Sequence, residues 1–285
     1  MESNWQGVRQ EMASVMTSIR GQNIHYQVVN PEAKTTIVFL HGFTGSTKTW
    51  ESTEQWISKK YRMISIDLMG HGLTDSPYSV EAYSMDEQVE LLREFFEARR
   101  IYTCTLVGYS MGGRVALAFA IRYPDKVKKL VLESASPGLK TEEERRTRIK
   151  NDRQLAERIE KDGVEAFVNY WETIPLFESQ KHLPADIKQQ VRDERLNQSP
   201  VGLANSLRGM GTGKQSSYWH ELKHFQKPVV MLTGELDRKF IQKAIEMKEE
   251  FPICEHHIVP AVGHAIHVEN PQIFATIIKE HLEDE

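Results

Sequence analysis

The sequence predicts an α/β protein with a mostly parallel sheet, helices on both faces and a helical cap inserted after the first half. Three observations predict it. Short apolar, β-branched segments alternate with amphipathic helical ones up to about residue 138. The alternation then gives way to charged sequence without strand signals over residues 139–214. It resumes from about residue 228 to the end.

Taken in order, residues 23–29 and Thr35–Leu40 are rich in β-branched and aromatic residues and predict strands. Residues 50–59, with Trp50, Trp56 and Ile57 spaced along them, predict a helix, and residues 62–67 another strand. Ser84-Met85-Asp86-Glu87 has the pattern of a capping box, and Val89, Leu92, Phe95 and Phe96 follow at helical spacing. Residues 103–109 predict a strand, the alanine-rich residues 111–123 a helix stopped by Pro124, and Val127–Glu133 a strand. Parallel strands joined by helices of this length are covered on both faces. Within the charged stretch, residues 142–162 and 164–171 predict helices. Residues 228–233 and 255–259 predict strands flanking a helix over 239–251, and a last helix starts near Asn270-Pro271. The expected organisation is a core of residues 1–138 and 215–285, with residues 139–214 as the cap. Residues 1–16 fit neither pattern and are expected to form a loose extension without function.

Composition narrows the function classes. A formal net charge of −4 gives no electrostatic case for nucleic acid or for an anionic membrane surface. No apolar run approaches the roughly 20 residues that span a bilayer. The first residues lack the basic start and apolar stretch of a secretory signal. Cys104 and Cys254 lie far apart in sequence and are expected to be small hydrophobes in strands, which suits a reducing cytoplasm.

The chemistry is expected at Gly108-Tyr109-Ser110-Met111-Gly112, a G-x-S-x-G motif between a predicted strand and a predicted helix. That context is the nucleophile elbow of α/β hydrolases, so the fold class becomes an α/β-hydrolase fold. The glycines let the chain approach closely around a strained serine, and the helix N-terminus aims its amides at any oxyanion nearby. A serine needs a base, and the base an orienting acid, in the chain order Ser, Asp or Glu, His. Asp237 follows a predicted strand and His264 the next one, both at the carboxyl end of the sheet where ligands bind in such folds. Ser110, Asp237 and His264 are therefore the expected catalytic set. Asp237 could instead cap the following helix; Glu235 is a rival acid and His267 a rival base. His256, His257, His264 and His267 invite a metal, but no cysteine or acidic residue joins them at zinc-like spacing, and a strand turns His256 and His257 to opposite faces. No metal is expected there. The oxyanion donors are expected to be the amides of Met111 and Phe43, the latter in His41-Gly42-Phe43-Thr44-Gly45, with His41 organising that loop.

The fold alone does not name a reaction. From about Ile24 onward, however, the chain resembles the 2-succinyl-6-hydroxy-2,4-cyclohexadiene-1-carboxylate synthases of menaquinone biosynthesis. The resemblance rests on Gly108-Tyr109-Ser110-Met111-Gly112-Gly113-Arg114, Glu133-Ser134-Ala135-Ser136-Pro137-Gly138-Leu139, Asn151-Asp152-Arg153-Gln154, Ser206-Leu207-Arg208-Gly209-Met210-Gly211-Thr212-Gly213 and Gly234-Glu235-Leu236-Asp237-Arg238-Lys239-Phe240. It departs from many members of the fold at Met69, where they carry proline. The resemblance implies a cofactor-free lyase acting on a small carboxylate substrate, with Ser110 as base. It implies Arg114, Arg148 and Arg208 as candidate carboxylate partners and Tyr109 and Trp171 as candidate pocket walls. Guanidinium suits bidentate carboxylate pairing. Arg145, Arg146 and Arg153, beside Glu142–Glu144, are the residues of a solvated charged face. Two rivals use the same scaffold: a serine hydrolase with Ser110 as nucleophile, acting on an ester or a C–C bond, and a non-catalytic small-molecule binding protein.

Overall fold

The protein is described by a computed structural model covering residues 12–283. Eight strands form one sheet: β1 (Met12–Ile19), β2 (Gln22–Val29), β3 (Thr35–Leu40), β4 (Tyr61–Ile66), β5 (Cys104–Tyr109), β6 (Val127–Glu133), β7 (Val229–Gly234) and β8 (Cys254–Val259). Their spatial order is β1-β2-β4-β3-β5-β6-β7-β8. The pairs β1/β2 and β2/β4 are antiparallel and all others parallel. Every residue of β5 and β7 is buried, as strands covered on both faces must be.

Alternate residues of each central strand feed two cores. Val38, Leu40, Leu106, Leu130 and Leu132 face one side with Phe95 and Phe96 of α2 (Met85–Ala98) and Phe119 of α3 (Met111–Arg122). Ile37, Phe39, Val107 and Val131 face the other with Trp50 and with Phe274 and Ile278 of α9 (Pro271–Glu283). The period of two in side-chain direction is what lets one apolar strand serve both layers.

Two expectations change. Residues 12–16 are not a loose extension: they belong to β1, whose ladder with β2 runs from Met12↔Val29 to Ile19↔Gln22. Residues 1–11 lie outside the described residues. The helix expected over 50–59 contracts to a 3-10 turn and α1 (Glu51–Glu54). Trp50 and Ile57 are both buried, and the chain must turn back within a few residues to enter β4 at Tyr61. At α2, the Ser84 hydroxyl accepts from the Glu87 amide. The reciprocal half of the capping box is replaced, because the Glu87 carboxylate pairs with Arg20 at 3.2 Å.

Between β6 and β7 the described chain has helices only: α4 (Glu142–Trp171), α5 (Ala185–Leu196), α6 (Pro200–Met210) and short 3-10 turns. Thr141 and Glu144 close a full capping box at the start of α4. Gly163, at φ 83°, kinks α4 at the boundary expected between its two halves. Ala156, Ile159, Phe167 and Val168 of α4 and Leu203, Ala204 and Leu207 of α6 form a small core of their own, and Phe43 packs against it. After β7 come α7 (Arg238–Glu250) and, beyond β8, α8 (Ile266–Glu269), which precedes α9. Among the described residues no helix is long and apolar enough to cross a membrane. Cys104 is buried in β5 and Cys254 half-buried in β8, and both are free thiols.

Candidate active site

β5 delivers Ser110 to the turn before α3 at φ 48°, ψ −103°, a left-handed conformation for a residue with a side chain. The turn is tight because α3 abuts its neighbours. A Cβ on Gly112 would stand 2.2 Å from the Leu40 carbonyl oxygen at the end of β3, and one on Gly108 would stand 2.6 Å from the Gly112 carbonyl. Strain of this kind costs on the order of 1–3 kcal/mol and persists where packing over-determines it.

His264 Nε2 lies 3.1 Å from Ser110 Oγ, and His264 Nδ1 lies 2.6 Å from Asp237 Oδ2. The ring therefore donates through Nδ1 and accepts the serine proton at Nε2. Asp237 also caps α7, its Oδ1 accepting from the Phe240 amide at 3.4 Å. Capping and orienting, posed as alternatives from sequence, are carried by two oxygens of one carboxylate. Phe240 stands 4.7 Å from the His264 ring, which is 1% exposed. The rival acid Glu235 turns away and accepts from the Ala261 amide. The rival base His267 is held by buried Glu133 at 2.7 Å. His256 bonds Thr233 and His257 bonds His281, so the four histidines do not converge.

β3 and β5 are neighbours, which sets the loop after β3 beside the elbow. His41 organises that loop. Its Nδ1 donates to the Gly42 carbonyl at 2.7 Å and its Nε2 accepts from the Leu68 amide at 3.0 Å. Burial pushes the His41 imidazolium below its usual range, and burial beside His41 pushes His71 down to about 3. Both are neutral near pH 7. Phe43 and Met111, the expected oxyanion residues, line the same cavity as Ser110 and His264.

This cavity, of about 180 Å³, is lined also by Arg114, Ser134, Arg148, Trp171, Ser206, Lys239 and Lys243. It shares Arg148, Trp171, Leu176 and Lys239 with a groove of about 1110 Å³ between α4 and the β7–α7 junction. Arg114 donates to the Met210 carbonyl at 2.6 Å, and Arg148 to Asp152 Oδ1 at 2.7 Å. Burial, and then the like charge of Arg148, push Arg114 down to about 10, still charged at neutral pH. Asp152 is raised by burial, and its Oδ2 is buried without a hydrogen-bond partner among the described residues. Arg148 thus pairs with Asp152, while Arg114 is held by neutral oxygens, the Met210 carbonyl and the Gln215 side-chain carbonyl.

Two expected pocket residues stand elsewhere. Arg208 does not line the cavity. It faces Glu160 of α4, Nη2 donating to Oε2 at 2.6 Å and Nη1 to Oε1 at 2.5 Å, and so joins α6 to α4. Tyr109 is not in the wall around Ser110 either. It packs under Gly42, between the rings of His264 and His267, and lines a smaller cavity with Glu194 and Arg195. Alternation along β5 puts Tyr109 on the face that carries Val107, packed into the core on that side of the sheet. Trp171 is in the wall, edge-on to Phe43 at 5.6 Å, with a buried indole N–H that has no hydrogen-bond partner among the described residues.

Sequence reasoning missed Ser134, Lys239 and Asp152. Ser134 sits just past β6 at φ 46°, 1% exposed, with an Oγ that has no hydrogen-bond partner among the described residues. Its position at a strand's carboxyl end was the available signal. Lys239 lies two residues after Asp237; burial, then Arg148, lower its ammonium from the ordinary range. Asp152 stands four residues after Arg148 on α4, the spacing of a helical ion pair.

Comparison with known proteins gives the fold and the family. A family model described as the alpha/beta hydrolase fold matches residues 35–271. A relative from Bacillus subtilis (strain 168), provisionally named a 2-succinyl-6-hydroxy-2,4-cyclohexadiene-1-carboxylate synthase, is 46% identical over 91% of this chain and 95% of its own. The protein of that name from Enterobacter sp. (strain 638) is 30% identical over 86% of this chain and 91% of its own. Among solved structures, MenH from S. aureus superposes with a TM-score of 0.87 at 39% identity, covering 91% of this chain and 98% of that one. An esterase from Thermogutta terrifontis reaches a TM-score of 0.81 at 23% identity over 96% of this chain and 98% of its own, a likeness of fold alone. With the hydrolase fold matched across the sheet and its loops, and with relatives this similar along nearly their whole length, the chain belongs to the 2-succinyl-6-hydroxy-2,4-cyclohexadiene-1-carboxylate synthase family of α/β-hydrolase-fold proteins.

Proposed function

We propose that this chain is a carbon–oxygen lyase of menaquinone biosynthesis, converting 2-succinyl-5-enolpyruvyl-6-hydroxy-3-cyclohexene-1-carboxylate to 2-succinyl-6-hydroxy-2,4-cyclohexadiene-1-carboxylate and pyruvate. Family membership supports the activity. The observation that carries it to this site is that Arg114 and Arg148 both line the cavity with Ser110, Arg148 paired to Asp152 and Arg114 held by neutral oxygens of Met210 and Gln215.

Ser110, with its proton passed to His264, removes the ring proton α to the succinyl carbonyl. The electron pair forms a double bond toward the existing alkene, which shifts by one carbon and breaks the C–O bond to the enolpyruvyl group. Enolpyruvate departs and takes a proton to become pyruvate. Asp237 holds the imidazole orientation and stabilises the imidazolium. The amides of Phe43 and Met111 receive the charge that develops on the succinyl oxygen, a contribution typically worth on the order of 100-fold per donor. Arg114, Arg148 and Lys239 receive substrate carboxylates, and the Ser134 hydroxyl and Trp171 indole N–H supply neutral donors. Residues 139–214 act as the cap over this site, and the groove along α4 is the approach to it.

The test is pyruvate release from the synthase substrate, against an enzyme-free control. Wild-type protein accelerates release, and Ser110→Ala, still folded, returns it nearly to the control. Near-normal release by Ser110→Ala overturns the role of Ser110. Release no faster than the control with wild-type protein overturns the lyase reading and leaves serine hydrolysis on the same triad.

A further inference from the structure

β8 is the edge strand of the sheet, and its residues alternate in direction. His256 turns toward Thr233 of β7, at 2.8 Å. Glu255 and His257 turn the other way, toward the last turn of α9, where His281 stands. The Nε2 atoms of His257 and His281 are 2.9 Å apart, and Glu255 Oε2 lies 3.8 Å from His257 Nε2. One ligand atom from each of the three residues falls within 4.8 Å of the others. The sequence set metal aside for His256, His257, His264 and His267, which no cysteine or acidic residue joins at zinc-like spacing; the fold pairs His257 instead with Glu255 and with His281 from another element.

We propose that Glu255, His257 and His281 bind one divalent transition-metal ion, of the zinc, cobalt or nickel class, and so fasten α9 to the edge strand. Two imidazole nitrogens and one carboxylate suit these borderline ions, whereas magnesium and calcium prefer oxygen donors throughout. Ligand nitrogens at about 2.0–2.1 Å from a tetrahedral ion stand roughly 3.3 Å apart. The two Nε2 atoms therefore need to separate by only a few tenths of an ångström, and the exposed Glu255 side chain to swing in toward both from within 4.8 Å. Glu255 is exposed, His257 half-buried and His281 buried, so one flank of the site opens to water for a fourth ligand. The Lys129 ammonium meets the His281 main-chain carbonyl, which fixes the helix end without engaging the ring. The C-terminal turn of a helix also favours positive charge nearby. The site involves none of the residues around Ser110, and its role is structural.

The experiment is titration of the whole chain with Co²⁺, followed by its visible d–d absorption, then displacement by Zn²⁺. Wild-type protein saturates at one equivalent with the bands of a four-coordinate ion. Glu255→Gln, at an exposed position where folding is undisturbed, and His257→Ala each weaken binding by about tenfold or more. Zn²⁺ raises the thermal midpoint of wild-type protein by a few degrees and leaves His257→Ala unmoved. Weak binding without a one-to-one end point, or equal binding and equal thermal shift in both variants, overturns the proposal and assigns the ions to other histidines.

Discussion

Asp237 and His264 are joined at 2.6 Å through one carboxylate oxygen, while the other oxygen of Asp237 holds the first turn of α7. The base of the site and the start of a core helix are thus set by the same side chain. Asp237→Asn separates the two roles. Asparagine is as good a cap, so stability should change by less than about 1 kcal/mol. The imidazole loses its carboxylate and its tautomer is no longer fixed, so the rate of pyruvate release should fall by roughly 10²–10⁴-fold. Thermal denaturation beside turnover measures both.

Arg148→Ala tests the charge argument. Its side chain touches Asp152 and the cavity, so the loss is of an anion contact and of one ion pair. The kcat/KM for the carboxylate substrate should fall about 10–100-fold, the range of a charged hydrogen bond. Hydrolysis of a neutral activated ester, if measurable, should stay within about a factor of two. Equal losses on both substrates would point to a displaced α4 instead.

Ser134→Gly tests a residue that sequence alone passed over. Glycine accepts φ 46° without strain, so stability should stay level or rise by up to ~1 kcal/mol. Ser134 lines the cavity and its hydroxyl is lost, so KM should rise severalfold. An unchanged KM would remove Ser134 from the binding surface.

Glu54 gives a pH prediction. Burial raises its carboxyl from 4.5 to about 7, against the opposing hydrogen bond from Ser65 at 2.6 Å. Its folded pKa lies above its unfolded one, so the folded state binds the proton more tightly. Stability is then lost as pH rises from about 4.5 through about 7, by ~3 kcal/mol in all from this group. Glu54→Gln keeps an acceptor for Ser65 and removes the charge. It should be more stable than wild type at pH 8 and show little difference at pH 4.5, in denaturant titrations at the two pH values. A variant less stable at pH 8 would refute the assignment.

The sequence by itself determined the sheet-and-helix alternation, the elbow and the chain order of Ser110, Asp237 and His264. Apolar periodicity and a glycine motif are local signals, and the rule that sites lie at strand carboxyl ends converts positions along the chain into positions in space. Thr35–Leu40 and Val127–Glu133 coincide with β3 and β6 for that reason. Only the tertiary structure decided matters that depend on partners far along the chain. Residues 12–16 became a strand because β2 offered an edge to pair with, although their own sequence carries no strong strand pattern. Arg114 and Arg148, on α3 and α4, came together through the fold, whereas Arg208 was taken by Glu160 on the neighbouring helix. Tyr109 left the pocket wall because a strand alternates, and His281 reached His257 because α9 packs back along the sheet. A residue type states what a side chain can bind. Which partner it meets is fixed by packing between elements distant in sequence, and no local pattern encodes that.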